Sequence, residues 1–153
     1  CGTGLAALRF GPHSDWMVGV DLSGAMLAQA REKGLYDRLI EAEVQHYLTA
    51  EAKIAARYHL VLAADVFMYF DDLGPVLKAT AQVVAPAGQL AFSVETHDGD
   101  GVLLRETLRY AHGEAHVRRS MAAAGLEPVS LDFASTRTEK GVPVPGLIVL
   151  AKP

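Results

Sequence analysis

The sequence predicts a doubly wound α/β domain, and three observations carry that expectation. Cys1-Gly2-Thr3-Gly4 opens a short apolar segment, and Asp21 ends a hydrophobic run seventeen residues after Gly4. This spacing suits a nucleotide-binding βαβ unit: the glycines let the backbone turn close to a ligand, and a strand-terminal acid accepts hydrogen bonds from ribose hydroxyls. Beyond it, helical segments alternate with short apolar runs, the order that builds a parallel sheet with crossover helices. The last two strand-like segments are joined by a linker too short for a helical crossover, so they should pair antiparallel. Together these give a Rossmann-like, mostly parallel sheet with a C-terminal antiparallel hairpin.

In order, Leu5 to Phe10 should be a short helix stopped by Gly11-Pro12, and Trp16 to Val20 a strand that delivers Asp21. Ser23 is placed to cap a helix through Ala25, Met26, Leu27 and Ala30, which Lys33-Gly34 ends. Arg38 to Glu43 reads as a third short strand and Gln45 to Arg57 as a helix. Tyr58 to Ala64 is nearly continuous apolar sequence, as expected of a parallel strand buried on both faces. Asp71 or Asp72 should cap the next helix, which carries Pro75 in its first turn and runs to Pro86-Ala87-Gly88. Gln89 to Val94 is a strand ending at Glu95, and Thr96 to Arg109 is a polar connection with Asp98-Gly99-Asp100-Gly101 as a turn. Glu114 to Ala124 is helical and stops at Gly125; the final strands are Pro128 to Thr136 and Gly146 to Ala151. In such sheets ligands lie outside the carboxyl ends of the strands, which marks Gly2, Gly4, Asp21, Glu43, Ala64, Asp65 and Glu95 as candidates for one pocket.

The totals set limits. At 153 residues the chain is expected to be a single domain over 1–153. A net charge of −4 argues against a nucleic-acid footprint, since no basic face outweighs the acids. One cysteine cannot form an internal disulfide, which fits a reducing, cytoplasmic setting. The longest apolar run, near Leu60 to Phe70, contains Asp65 and is too short for a membrane span. A glycine loop of this kind should follow a strand, and none precedes it. The expectation is that the first strand is missing, that the chain is truncated at its N-terminus, and that an upstream domain is possible on the natural chain.

Cys1-Gly2-Thr3-Gly4, Val20-Asp21-Leu22-Ser23 with Met26, Ala64-Asp65-Val66-Phe67 and Pro86-Ala87-Gly88 resemble the class I S-adenosylmethionine-dependent methyltransferases. Arg109-Tyr110-Ala111-His112 and the stretch from Thr138-Glu139 to Val144-Pro145-Gly146 resemble bacterial small-molecule methyltransferases, often attached to tetratricopeptide repeats. Pro86-Ala87-Gly88 departs from the commoner Pro-Gly-Gly. The resemblance implies S-adenosyl-L-methionine as cofactor and a small-molecule, or protein side-chain, methyl acceptor. It implies that Gly2 and Gly4 pass the methionine part, that Asp21 binds the ribose, and that Leu22 and Met26 pack on the adenine. Glu43, with Val44 beside it, would stand near the adenine amino group, and Ala64 and Asp65 at the methionine end.

Methyl transfer is an in-line displacement at a sulfonium methyl, for which positioning can supply up to roughly 7–11 kcal/mol. Phe67, Tyr69 and Phe70 either wall the sulfonium or belong to core and rim, with Tyr69 the candidate for the substrate pocket. His112 is the candidate base, since imidazole titrates near neutrality; the alternative is that it caps a helix or anchors a loop. Tyr110 is a second catalytic candidate, and Arg109 either shapes the acceptor pocket or pins its loop. Arg137 is expected to be an exposed strand residue. His112 and His116 with Glu114 between them lack a third ligand of convincing spacing, so no metal is expected. Two rivals remain: an NAD(P)-dependent oxidoreductase, because Gly2-x-Gly4-x-x-Ala7 also satisfies a dinucleotide fingerprint, and a cofactor-binding scaffold without turnover.

Overall fold

Glycine and helix-cap chemistry shape the first of two units, Cys1–Ala50, in a computed structural model that describes residues 1–153. Gly2 and Gly4 take φ of +55° and +85°, the left-handed region that glycine enters freely, and a Cβ on Gly4 would lie 3.1 Å from the Tyr36 ring. Helix α1 (Ala7–Phe10) is shorter than predicted and runs into a 3-10 turn over Gly11–His13, where Pro12 supplies a preset φ. Strand β1 (Val18–Asp21), helix α2 (Gly24–Glu32) and strand β2 (Arg38–Glu41) follow. β1 and β2 pair in parallel from Val18 opposite Arg38 to Asp21 opposite Glu41. The Ser23 hydroxyl accepts the Met26 N–H at 3.3 Å, and Gly34 takes φ +62° just past the Lys33 cap, so both predicted ends of α2 hold.

The third strand ends at Glu41 rather than Glu43, and α3 (Val44–Lys53) ends short of Arg57. Glu43 is withdrawn from the strand because its carboxylate accepts the first-turn N–H groups of Gln45 and His46 at 2.8 and 2.7 Å. At the other end Ala55 adopts φ +56°, and the Ala56 N–H returns to the Glu51 carbonyl at 3.0 Å.

The second unit, Glu51–Pro153, is a six-stranded mixed sheet with two helices on one face. Its elements are β3 (Tyr58–Ala63), a 3-10 turn at Phe67–Tyr69, α4 (Gly74–Val83), β4 (Val84–Glu95), β5 (Val102–Leu104), β6 (Tyr110–His112), α5 (Glu114–Ala123), β7 (Glu127–Ala134) and β10 (Gly146–Lys152). Between the last two lies a small hairpin, β8 (Thr138–Glu139) and β9 (Val142–Pro143). β4 is central: β3 pairs with it in parallel and β10 antiparallel, and β7 pairs antiparallel with β10 as the short linker predicts. At its carboxyl end Glu95 pairs with Ala111 of β6. Leu90, Phe92 and Val94 of β4 and Leu147 and Val149 of β10 are buried, as are Val76 and Leu77 of α4 and Val117 and Met121 of α5.

Several expectations change here. β3 is not buried on both faces: Leu60 and Leu62 are 39% and 36% exposed, because they alternate to the face opposite the buried one. β4 begins at Val84, not Gln89, and absorbs Pro86-Ala87-Gly88 as an irregularity opposite Tyr58 to Leu60. Gly88 is required there, since a Cβ would stand 2.8 Å from the Tyr58 carbonyl oxygen. Neither Asp71 nor Asp72 caps α4; the cap position is Leu73, and Asp72 instead accepts the Gly74 N–H at 2.8 Å. The stretch Thr96 to Arg109 contains a strand, β5, antiparallel to β6. No helix is long and apolar enough to cross a membrane.

Candidate functional site

In the first unit the strand ends and the glycine loop converge on Asp21. Its Oδ2 accepts the Gly2 N–H at 2.7 Å and the Cys1 amino group at 3.2 Å, and its Oδ1 accepts the Ser23 N–H at 2.9 Å. Burial pulls the Asp21 pKa up, but the Ser23 and Gly2 N–H groups and the Cys1 amino group outweigh it, leaving the pKa below the ordinary carboxylate value. Asp21 therefore joins the glycine loop to the start of α2 as a fixed anion. A carboxylate has about four lone-pair directions, so acceptor capacity remains. Beside it Leu22 is 71% and Met26 40% exposed, apolar surface at the mouth of a helix. Glu43, by contrast, spends one oxygen on each of two N–H groups of α3, which begins with Val44.

These residues fit an adenosyl ligand. Glycines at positive φ lead a loop whose first N–H is fixed by the acid, and nothing lies within 4 Å of where a Cβ on Gly2 would be. Two exposed apolar side chains offer a flat ring a surface.

In the second unit the predicted residues gather beyond β3 and β4. Ala64 is exposed and Asp65 takes φ +55°, its N–H held by the Ser93 hydroxyl at 3.0 Å and its Oδ1 accepting Thr136 Oγ1 at 3.1 Å. Phe67 is core, 1% exposed, edge-on to Phe70 and 5.2 Å from the Phe92 ring, whereas Tyr69 is 58% exposed. The Arg109 guanidinium lies 5.7 Å over the Tyr69 ring, and a hydrogen bond from it to Tyr69 raises the arginine pKa further. Tyr110 pairs opposite Leu104 in the β5–β6 hairpin, on the same face as His112.

His112 is fully buried, its ring stacked 5.6 Å from that of His116 and near the Phe70 backbone. Burial, reinforced by His116, pushes its pKa down to about 4. A neutral imidazole of that pKa accepts protons weakly near neutrality. The Thr96 hydroxyl donates to the His112 carbonyl at 2.7 Å, tying this strand to the end of β4.

Sequence reasoning missed the centre of this region. Glu95, 2% exposed, receives Arg137 Nε and Nη2 on Oε1 at 3.1 and 2.6 Å and faces Arg105 Nε at 3.3 Å on Oε2. Arg137 is thus not an exposed strand residue but an ion-pair partner, because a buried carboxylate needs compensation. Alternating acids at strand ends marked Glu95, but nothing in sequence pointed to arginines so far along the chain.

Residues 1–90, more than half of the chain, match the methyltransferase domain family. The chain belongs to that family. It is a class I S-adenosylmethionine-dependent methyltransferase domain, and the resemblance drawn from its glycine loop and Asp21 holds. Among curated proteins it is similar to malonyl-[acyl-carrier protein] O-methyltransferase of Pseudescherichia vulneris, 26% identical over 159 residues, 93% of this chain and 61% of that protein. The domain thus spans less than two thirds of that relative. In fold it is similar to an S-adenosylmethionine-dependent methyltransferase of Clostridium acetobutylicum, with a TM-score of 0.74 at 18% identity over 99% of this chain and 80% of the other. It is also similar to magnesium protoporphyrin IX methyltransferase of Synechocystis, solved with S-adenosylmethionine bound, with a TM-score of 0.71 at 18% identity over 99% and 65%. The Rossmann-like α/β class with its C-terminal antiparallel strands is borne out.

Proposed function

We propose that the protein carrying this domain moves the methyl group of S-adenosylmethionine to a small-molecule acceptor by in-line displacement. The observation that carries this reading is Asp21: a strand-end carboxylate clamped between the glycine loop and the next helix, within the residues matched to the family. When bound, the cofactor supplies an electrophilic methyl on a sulfonium. The chain's own residues bind and orient. Gly2 and Gly4 let the backbone approach the methionine part; Asp21 accepts ribose hydroxyls; Leu22 and Met26 cover the adenine, with Glu43 and Val44 near its amino group; Ala64 and Asp65 border the methionine end. Tyr69 and Arg109 face the acceptor, with Tyr110 and His112 behind them on the β5–β6 hairpin. The names of the relatives, malonyl-[acyl-carrier protein] O-methyltransferase and magnesium protoporphyrin IX methyltransferase, support a small acceptor group without choosing one.

Because His112 is buried and held neutral, proton removal through it contributes little, and positioning is the main contribution asked of the protein. The test is calorimetric titration with S-adenosylhomocysteine and, in parallel, NAD, on the wild type and Asp21→Ala. Binding of S-adenosylhomocysteine that the substitution weakens is the expected outcome. Binding of NAD alone would move the assignment to an oxidoreductase.

A further inference from the structure

Arginine side chains gather at the carboxyl end of β4. Three guanidiniums, those of Arg105, Arg109 and Arg137, meet there around two carboxylates. Glu95 takes Arg137 on one oxygen and Arg105 on the other, and Arg137 also lies 3.6 Å from Glu139. Arg105 is fixed further by donating to the Thr96 carbonyl at 2.7 Å. Arg109 stands directly across the hairpin, where the Arg105 N–H donates to its carbonyl at 2.8 Å, yet it enters no ion pair. What it has is Tyr69, to which it donates a hydrogen bond and whose ring it overlies at 5.7 Å. Its Nε, like that of Arg105, is buried without a hydrogen-bond partner.

A tyrosine side chain holds a guanidinium in place without taking up its bidentate carboxylate geometry. Tyr69, with Glu95 and Glu139 farther off, favours the charged form of Arg109, so a standing cation in no ion pair is there for an arriving anion to meet. Of the common anions, a carboxylate matches the planar fork of arginine in two parallel hydrogen bonds. Strand alternation puts Leu103, 49% exposed, on the same face of the hairpin as Arg105. An aliphatic surface therefore adjoins the cation.

We propose that Arg109, backed by the Glu95-locked Arg105 and Arg137, is a subsite for a carboxylate on an aliphatic methyl acceptor. This deepens the methyl-transfer reading and rests on it for the word acceptor. Tyr69 is a positioning residue that holds Arg109, and Glu95 one that holds the flanking arginines.

Butyrate and butyramide are suitable probes, since they share size and differ in charge. In the full chain, arginine Nε–H resonances are followed by 15N NMR during titration with each, with and without saturating S-adenosylhomocysteine. Butyrate should shift the Arg109 signal saturably and butyramide should not. Calorimetry should give affinity for butyrate about tenfold or more weaker in Arg109→Gln, the scale of a lost charge-assisted pair, with a smaller loss in Arg109→Lys. Both variants should keep the wild-type S-adenosylhomocysteine affinity. Equal response to butyramide, unchanged binding in Arg109→Gln, or displacement of butyrate by S-adenosylhomocysteine would overturn the assignment, the last by giving the carboxylate site to the cofactor. Failure of S-adenosylhomocysteine to bind any form would instead sink the methyltransferase reading, while the butyrate titration still decides whether the anion site exists.

Discussion

Asp21 and Glu95 both end parallel strands, and the chain treats them in opposite ways. Asp21 keeps some exposure and is held by backbone N–H groups from Gly2 and Ser23. Glu95 is buried and is held by the side chains of Arg105 and Arg137. Backbone donors orient an anion while leaving it free to meet a ligand. Guanidinium donors neutralise it and convert the carboxylate into scaffold. The same residue chemistry at equivalent strand ends thus leaves a partly exposed anion in one unit and a buried, ion-paired one in the other.

The contrast breaks most visibly at Glu95. Glu95→Ala leaves two arginines without their anion and should cost roughly 3–5 kcal/mol of stability, as for a buried pair stripped of one partner. Urea unfolding checks this, and a loss no larger than that of a surface pair would place Glu95 with Asp21 as a solvated anion. Glu95→Gln keeps the shape and should lose less.

His112 sharpens the same point from the other side, as a buried group in which desolvation outweighs the Asp71 carboxylate. Its pKa is depressed to about 4 from 6.5, so the folded state favours the neutral ring. The unfolded chain binds the proton first as pH falls. Stability is therefore fully present above about pH 6.5 and is lost down to about pH 4, by at most roughly 3 kcal/mol at 1.36 kcal/mol per pKa unit. His112→Leu should flatten this acid limb in unfolding measured between pH 4 and 7. An unchanged slope would show that the imidazole is hydrated.

Asp21→Ala should cost less stability, about 2 kcal/mol for hydrogen bonds to a charged group, but should weaken S-adenosylhomocysteine binding by about tenfold or more. Because the Asp21 pKa is lowered, its stabilisation is present above the unfolded value near 3.8 and is lost only as pH falls through the lower folded value. Its acid dependence thus lies below the window in which His112 acts. Asp21→Asn should remove that lower limb and leave the upper one.

What could be read in the sequence follows the same division. Ser23, Gly34 and the pairing of β7 with β10 were legible because each depends on residues close in the chain. The Asp21 clamp was half legible: its spacing from the glycine loop was plain, its N–H partners were not. The Glu95 cluster was not legible, since Arg137 lies 42 residues away and only the folded sheet brings it back. β5, β6, β8 and β9 are two or three residues long, too short to show alternation. The turn at β8–β9 did carry a local signal, Lys140 and Gly141 both at positive φ, as two-residue hairpin loops require.

The end of α3 tests how far local chemistry reaches. The sequence reads as a helix from Gln45 to Arg57, yet α3 stops at Lys53 with Ala55 in the left-handed region at φ +56°. The Ala56 N–H closes the turn on the Glu51 carbonyl at 3.0 Å, so the backbone makes the stop that glycine commonly makes. An L-residue pays for that conformation with a Cβ clash of about 1 kcal/mol, only partly offset by the greater freedom glycine gives the unfolded chain. Ala55 is exposed and outside both candidate sites. Ala55→Gly should therefore raise stability by up to about 1 kcal/mol and leave the affinities for S-adenosylhomocysteine and butyrate unchanged. A loss of stability in urea would mean that Ala55 is not left-handed and that α3 continues as its sequence predicts.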